Sequence, residues 1–466
     1  MNRPHYDVVI VGSGPAAIFT AMELVEKKAD LKVLIIEKGR DINNRICPSK
    51  EKNGKCIDCS PCSIVCGWGG AGAFSDGKLT LSPEVGGMLD NYIGSQRLAR
   101  LIEYIDRIYL KFGAPEVVYG MDKEEEIKDI GRKAVLAELK LIPAPIRHLG
   151  TGRSQQVLER MKDHLVSEGV EVVIGLTVEE LLVEKGQVRG VQTSAGECFY
   201  AKYVVVAPGR EGSEWLARES ERLNLEMAIN PVDIGVRVEL PAVVMQHLTD
   251  VIYESKFIFH SKTFDDKVRT FCMNPYGEVV TENNDGLITV NGHTHAHKKT
   301  ENTNFALLVS KTFTEPFKEP IAYGKYVARL ANLLGGGVIV QRLGDLIAGR
   351  RTNYDRLKKG LVEPTLADAT PGDLSLVFPY RHLMALVEML KALDCIAPGV
   401  YSRHTLLYGV EAKFYSSRLK LTEALETQVN NLFAIGDGAG VTRGLAQASV
   451  SGVLAAREII KRETGV

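Results

Sequence analysis

The sequence has little cysteine and no excess of charge of either sign. Only 8 of its 466 residues are cysteine, and 57 basic residues stand against 58 acidic ones, so the net charge is -1. This balance argues against a surface that binds nucleic acids or anionic membranes. No apolar run is long enough to cross a bilayer, and the opening MNRPHYDVVIVG has no signal-peptide pattern. We therefore expect a cytoplasmic protein of two or three domains.

The first strong pattern lies near the N-terminus. YDVVIVGSGPAAIFTAMELVEKK predicts a buried strand, a glycine turn and a helix. Gly12 and Gly14 would let the backbone approach a pyrophosphate, which then lies at the helix N-terminus beside Pro15 and Ala16. A second apolar strand ends at Glu37, where a carboxylate is expected to bind ribose hydroxyls. Because strand, glycines, helix and acid occur together, dinucleotide binding is a better interpretation than an ordinary glycine turn.

A second glycine turn near the C-terminus bears on which dinucleotide binds. NNLFAIGDGAGVTRGLAQAS predicts a buried strand, then Gly436, Asp437 and Gly438, then a helix. With the GxGPA start and the acid-tipped second strand, this pattern resembles the glutathione-reductase-like FAD-binding superfamily. More narrowly, GGAGAFSDGKL, DIGVRVE, LYGVEAKFYSSR and GDGAGVTRGLAQAS are similar to a family of largely uncharacterised prokaryotic FAD-dependent dehydrogenases, along essentially the whole chain. The resemblance implies FAD and a Rossmann-type α/β fold, but it supplies no substrate.

The FAD-binding residues are predicted from the two glycine turns, the glycine-rich segment GWGGAGAFSDGK and the resemblance. In the superfamily, the aspartate corresponding to Asp437 holds the ribityl or phosphate region, and a short strand at the position of Val178 meets the adenine. Five glycines in twelve residues would allow close backbone approach to the cofactor. The predicted set is Gly12, Gly14, Pro15, Ala16, Glu37, Lys38, Arg45, Gly70, Ala71, Gly72, Ser75, Asp76, Gly77, Lys78, Val178, Ala207, Pro208, Gly209, Gly436, Asp437, Gly438, Arg443 and Gly444.

The chain order predicts a discontinuous FAD-binding domain formed by residues 1–90, 148–228 and 401–466. Residues 91–147 read as a helical insert. Residues 229–400 read as an inserted α+β substrate domain, with strands in IGVRVEL, GEVVTE and GLITVNG and helices near 305–334 and 380–393.

Five of the eight cysteines lie in one short segment. Cys56, Cys59, Cys62 and Cys66 follow C-x2-C-x2-C-x3-C, a spacing that binds iron-sulfur clusters, so we expect a [4Fe-4S] cluster. Cys47 competes with Cys66 as the fourth ligand. Zinc, reduced thiols or a redox pair are the alternatives. Because this segment adjoins the glycine-rich loop, the thiols are expected to pass electrons to the flavin.

Catalytic groups are harder to assign. Lys78 would place a positive charge near flavin N1 or lie at the surface. Tyr276 is a candidate proton donor, and His293 is either a proton donor or metal ligand or part of a solvated strand face. Three arginines would either clamp a substrate anion or form structural ion pairs: Arg237, Arg350 and Arg351.

The sequence has no second strand-glycine-helix fingerprint for a nicotinamide cofactor. The only other glycine cluster, in LLGGGVIVQRLGD, precedes a strand. We therefore expect an FAD-dependent oxidoreductase that acts on a small organic substrate, with electrons from direct docking or a ferredoxin-type donor. The alternatives are an FAD-binding protein with a structural zinc or redox-thiol knuckle, and a flavoprotein acting on RNA, which the charge balance disfavours.

Overall fold

The chain is described here by a computed structural model that covers residues 5–27, 30–48, 59–75, 77–150, 152–228, 231–284, 286–294, 299–311, 313, 317, 319–413 and 418–465. It forms two compact units. Unit 1 comprises Met1–Val118, Pro145–Ala228 and Ser416–Val466, and unit 2 comprises Tyr119–Ala144 and Ile229–Tyr415. The segment 91–147, predicted as one helical insert, is thus divided between the two units.

Unit 1 is built on a parallel sheet. The strand His5–Val11 pairs with Val33–Glu37 on one side and Cys198–Val206 on the other. These strands are almost continuously apolar because the sheet is buried on both faces. The remaining parallel strands are Glu171–Ile174 and Leu432–Ala434, and the antiparallel strands Val178–Glu184 and Gln187–Thr193 extend the sheet beside the start of Cys198–Val206. This Rossmann-type sheet confirms the predicted α/β fold class.

Helices Pro15–Glu26 and Leu445–Thr464 pack closely in unit 1. A Cβ on Gly452 would lie 2.1 Å from the carbonyl oxygen of Ala16, so only glycine permits this approach. The other helices of unit 1 are Asp90–Ile93, Ser95–Lys111, Arg153–Ser167 and Ser213–Arg222, and its short strands are Lys78–Thr80, Ile146–His148, Met227–Ala228 and Arg418–Leu419. Single 3-10 turns occupy Ile42–Asn44, Gly70–Phe74 and Asp437–Ala439.

Unit 2 contains an eight-stranded, mainly antiparallel sheet. Its strand order is Thr370–Pro371, Ile339–Arg342, Leu406–Lys413, Val232–Pro241, Asn302–Lys311, Lys267–Asn274, Lys256–His260 and Lys140–Ile142. The predicted strands GEVVTE and GLITVNG are confirmed as the hairpin Glu278–Asn284 and Leu287–His293. Its helices are Glu124–Leu136, Ala242–Thr249, Pro320–Gly335, Leu343–Ile347, Tyr354–Lys358 and Tyr380–Asp394, and a 3-10 turn occupies Leu374–Leu376. The two-residue strand Val118–Tyr119 spans the boundary between the units.

One predicted helix of unit 2 is wrong at its start. The helix expected from Phe305 begins only at Pro320, because Asn302–Lys311 is a central strand of the sheet. Its run FALLV is buried on both faces, and such a run does not distinguish a buried strand from a buried helix.

The two faces of the strand Val232–Pro241 differ in chemistry although both are buried. Its even-numbered residues from Val232 to Leu240 enter the apolar core of unit 2. Its odd-numbered positions carry Asp233, Arg237 and Glu239, all at most 1% exposed. Charged groups at such depth require partners, so this face must be lined with polar contacts.

Within the described part of the chain, every helix is too short or too polar to cross a membrane.

Candidate functional site

Several loops of unit 1 meet where the strands of its sheet end. Gly12 follows His5–Val11 with a φ of +99°, and a Cβ there would lie 2.3 Å from the carbonyl oxygen of Ala207. The N–H of Ala207 donates to the last residue of that strand (2.8 Å), and Ile435 donates to Val206 (3.0 Å). The carboxyl ends of three neighbouring strands therefore share one edge. In open α/β sheets, ligands bind at this edge where the strand order reverses.

Neither the backbone conformation nor the described protein atoms around position 14 require a glycine there. Its φ is -73°, which any residue adopts. A Cβ on Gly14 would meet no described atom within 4 Å. Gly14 precedes helix Pro15–Glu26, whose N-terminus has no side-chain cap among the described residues. The first N–H groups of this helix are therefore available to an anion, and the missing Cβ keeps space clear for one.

The glycine-rich loop lies against this helix start. Gly69 donates its N–H to the carbonyl oxygen of Ser13 at 2.9 Å. A Cβ on Gly70, whose φ is +58°, would lie 3.2 Å from the Cα of Gly14. The turn Gly70–Phe74 thus forms one wall of the region around Gly14. We call this region, bounded by the turns at Gly12, Gly70 and Ala207, the crevice.

The end of the loop is fixed by local contacts. The Ser75 hydroxyl donates to the carbonyl oxygen of Gly72 at 2.9 Å. Gly77 has a φ of +66°, which favours glycine. Lys78 begins the short strand Lys78–Thr80, and Asp76 lies outside the described residues. The roles of these residues toward FAD stay predictions.

Glu37, the predicted ribose-binding acid, is 6% exposed and already accepts four hydrogen bonds. One carboxylate oxygen accepts from the N–H (3.0 Å) and hydroxyl (2.7 Å) of Ser13. The other accepts from the N–H groups of Gly39 (2.7 Å) and Gly67 (3.0 Å). Four donors saturate a carboxylate, so a ribose hydroxyl would have to replace one of them, and the Ser13 hydroxyl is the replaceable side chain.

Sequence reasoning missed the partners of Glu37. A Cβ on Gly39 would lie 2.3 Å from the backbone nitrogen of Gly67, so two chain segments approach through glycines. The only sequence signal was that Gly39 follows the acid closely and Gly67 follows Cys66 directly. Glu37 therefore joins the first glycine turn to the end of the cysteine segment.

The C-terminal glycine turn meets the loop after strand Cys198–Val206. A Cβ on Gly438 would lie 2.5 Å from the carbonyl oxygen of Gly209. One carboxylate oxygen of Asp437 accepts from the Thr442 hydroxyl (2.7 Å), and the other lies 3.7 Å from Nε of Arg210. Asp437 is thus oriented by protein contacts, with its second oxygen paired only loosely.

Three other predicted residues flank these turns. Arg443 donates its backbone N–H to Gly86 at 2.8 Å, and Gly444 directly precedes the C-terminal helix. Val178 begins its strand two residues after Leu176, whose N–H donates to the Glu37 carbonyl oxygen at 3.0 Å. The adenine role of Val178 stays a prediction.

Arg45 organises the segment between the cysteines and the glycine-rich loop. It is 3% exposed, and Nε donates to the carbonyl oxygen of Ser63 at 2.9 Å. Nη2 donates to Ile64 (2.7 Å), while Nη1 donates to Trp68 (2.7 Å), Gly70 (2.8 Å) and, more weakly, Gly67 (3.5 Å). Burial lowers the pKa of Arg45 to about 10. The sequence predicts Arg45 as an FAD contact. In this structure its guanidinium donates to carbonyl oxygens of the protein.

Cys66 is a buried thiol one helical turn after Cys62. Its N–H donates to the Cys62 carbonyl oxygen at 2.9 Å. Burial, assisted by the nearby carboxylate of Glu211, raises the pKa of Cys66 to about 12. Lys38, another predicted FAD contact, forms an ion pair with Glu211.

The described cysteines do not form a metal site. Among the residues that the structure covers, no three Cys, His, Asp or Glu side chains are arranged to hold a metal ion. Cys59, Cys62 and Cys66 are free thiols, and Cys56 lies outside the described residues. The [4Fe-4S] cluster therefore stays a prediction.

Arg237 forms a structural ion pair inside unit 2. It is 0% exposed, and its Nε and Nη2 donate to the two oxygens of Glu411 at 2.8 and 2.9 Å. Its other N–H groups donate to Asn274, Asn291, Asn304 and the carbonyl oxygen of Cys272. Arg350 similarly lies 2.9 Å from the buried Asp345. Both arginines are therefore in ion pairs, Arg237 fully buried and Arg350 with its side chain half exposed.

The predicted catalytic residues belong to different units. Lys78 is in unit 1, while Tyr276 and His293 are in unit 2. Tyr276 is half-buried in a turn with a φ of +53°, and Lys299 lies 5.1 Å from its ring centre. His293 pairs with Glu278 across the hairpin. Their catalytic roles stay predictions.

Two sequence families match parts of the chain. Residues 231–414 match a family described as FAD-dependent protein, C-terminal domain-like, and residues 7–59 match the lycopene cyclase protein family. An uncharacterized protein of Clostridium beijerinckii is 27% identical over 480 residues, covering 97% of this chain and 80% of that protein.

Solved structures are similar only distantly. Glycine oxidase from Geobacillus kaustophilus is 13% identical with a TM-score of 0.38, over 98% of this chain and 95% of that one. An Aspergillus oryzae formate oxidase variant is 12% identical with a TM-score of 0.48, over 100% and 99% of the two chains. Likeness at this level carries no argument about activity. The FAD-dependent family match over residues 231–414 and the crevice both agree with binding of FAD.

Proposed function

We propose that this protein is an FAD-dependent oxidoreductase that acts on a small organic substrate. The observation that carries the proposal is Gly14, whose Cβ would occupy space that the described protein leaves clear at an uncapped helix N-terminus. A pyrophosphate explains both features, because it needs close backbone approach and N–H donors. The family match over residues 231–414 supports FAD as the dinucleotide.

The residues around the crevice fit this cofactor. The first N–H groups of helix Pro15–Glu26 would bind the pyrophosphate. The Ser13 hydroxyl would give way so that Glu37 accepts from a ribose. Asp437 keeps one loosely paired oxygen for the ribityl or phosphate region. When bound, FAD supplies the exchange of two electrons with the substrate.

A steric variant tests this assignment. Gly14→Val adds a branched side chain that meets no described protein atom at its Cβ position, so we expect the protein to fold and to lose FAD. Gly131→Val is the matched control, because Gly131 lies in a helix of unit 2 and a Cβ there meets only Leu141 at 3.9 Å. Flavin released by denaturation measures retention. A folded Gly14→Val protein that keeps its FAD contradicts the assignment.

The second part of the proposal is a [4Fe-4S] cluster in the cysteine segment, and it is supported by the C-x2-C-x2-C-x3-C spacing alone. Among the described residues, no three metal-binding side chains converge in this segment. Iron and acid-labile sulfide in anaerobically isolated protein would support the cluster. Protein with FAD but without iron would favour a zinc or thiol knuckle.

A further inference from the structure

Unit 2 contains a cavity that none of the predicted functions uses. It has a volume of about 640 Å³ and lies where strand Lys267–Asn274 begins, strand Asn302–Lys311 ends and helix Tyr380–Asp394 begins. This volume is within the range of small-molecule sites.

His382 is a buried polar group at this cavity. Its side chain lines the cavity and is 3% exposed, and neither ring nitrogen has a hydrogen-bond partner among the described residues. Burial lowers the pKa of His382 to about 4. The neutral ring therefore offers one N–H donor and one acceptor nitrogen. Buried polar groups normally have hydrogen-bond partners. The two nitrogens of His382 therefore suggest a partner that is not part of the described protein.

The charges beside His382 favour an anion. Asp266 is 7% exposed and accepts from Nε and Nη2 of Arg381, each at 2.7 Å, while Lys311 forms an ion pair with the same carboxylate. Two cations thus share one anion, which leaves a net charge of +1. Lys267 and Asp265 at the rim cancel one another. Nη2 of Arg381 also donates to the carbonyl oxygen of Phe264 at 3.0 Å. Lys311 and Arg381 still have N–H groups that Asp266 does not accept, which leaves donors for a further anionic group.

Aromatic rings form another wall of the cavity. Phe313 and Tyr323 are in edge-to-face contact, with ring centres 5.0 Å apart, and the centre of Tyr323 lies 6.2 Å from that of His382. Such a wall favours a flat apolar body, and the cavity volume exceeds what a simple anion fills.

From these observations we propose that the cavity binds a small aromatic carboxylate. The carboxylate pairs with Lys311 and Arg381, His382 hydrogen-bonds the ligand, and the ligand ring packs against Phe313 and Tyr323. The site lies within unit 2 and uses no residue of the crevice, so it goes beyond the proposed flavin function.

Calorimetric titration of the purified full-length protein tests the site, with 2-naphthoate as the probe. We expect saturable binding, and at least about tenfold weaker binding of neutral 2-naphthamide, acetate and inorganic phosphate. His382→Phe and Arg381→Gln should each weaken 2-naphthoate binding at least about tenfold. His164→Phe, on a helix of unit 1, is the matched control and should bind like the wild type.

Arg381 keeps the test decisive if His382→Phe does not fold, because its side chain is half exposed. Absence of saturable 2-naphthoate binding, tighter binding of phosphate, or unchanged affinity in the folded variants would each overturn the proposal.

Discussion

At the scale of single residues, buried polar groups carry most of the specific chemistry of this chain. Glu37 and Arg45 both lie in unit 1 and each satisfies several backbone groups. The sequence predicts both as FAD contacts, but it does not show that Arg45 is used by carbonyl oxygens. The sequence around a single arginine does not show which hydrogen-bond acceptors its side chain will meet. Burial, which decides the matter, depends on the fold around the loop.

His382 makes a prediction about pH dependence. Its pKa is about 4 in the folded protein, mainly through burial, against 6.5 as its ordinary value. As the pH falls from 6.5 toward 4, the unfolded chain binds a proton that the folded protein does not, so stability is lost. The wild type should lose about 3 kcal/mol more than His382→Phe across this window. Urea unfolding at several pH values measures it, and parallel pH profiles would contradict the prediction.

At the scale of elements, local pattern predicts the first strand-turn-helix and the hairpin of unit 2 well. These elements have strong alternation or clear glycine turns. The strand Asn302–Lys311 was missed because its apolar run fits a buried helix equally well. Its identity is decided by pairing with Val232–Pro241 and Lys267–Asn274, which are distant in sequence. Pairing over such separations cannot be read from a local run.

The loop from Cys62 to Gly70 gives a prediction at this scale. Lysine at position 45 would keep the charge but lacks the planar fork that donates to carbonyl oxygens on two sides. Arg45→Lys should therefore loosen the loop and expose Cys66, whose raised pKa and burial otherwise protect the thiol. In metal-free protein, iodoacetamide should label Cys66 at least about tenfold faster in this variant, as followed by mass spectrometry.

Arg40→Lys is the matched control, because Arg40 is an exposed arginine of the same region. Equal labelling rates in wild type and Arg45→Lys would show that the arginine does not hold the loop.

At the scale of the whole molecule, the division into two units gives each a separate core and separate chemistry. The crevice could be predicted from the sequence because its first glycine turn, the helix start and the acid Glu37 lie within one short stretch of the chain. The polar face of unit 2 was not predicted, because Arg237 and Glu411 are far apart in sequence. The same separation hid the cavity around His382.

The proposed electron source gives a prediction for the complete protein. The other glycine cluster of the sequence ends helix Pro320–Gly335 and precedes strand Ile339–Arg342, so it is not a dinucleotide turn. We expect slow flavin bleaching by NADH or NADPH, compared with reduced ferredoxin or dithionite. Stopped-flow absorbance measures the rates. Rapid, saturable bleaching by NADPH alone would contradict this expectation.

The central claim is that the crevice of unit 1 holds FAD through its pyrophosphate and adenosine part. Titration of cofactor-free protein with FAD and with FMN tests it most directly, because FMN lacks the second phosphate and the adenosine. The account predicts saturation at about one FAD per chain and at least about tenfold weaker binding of FMN. Equal affinity for FMN, or no saturable binding of FAD to folded protein, would contradict it.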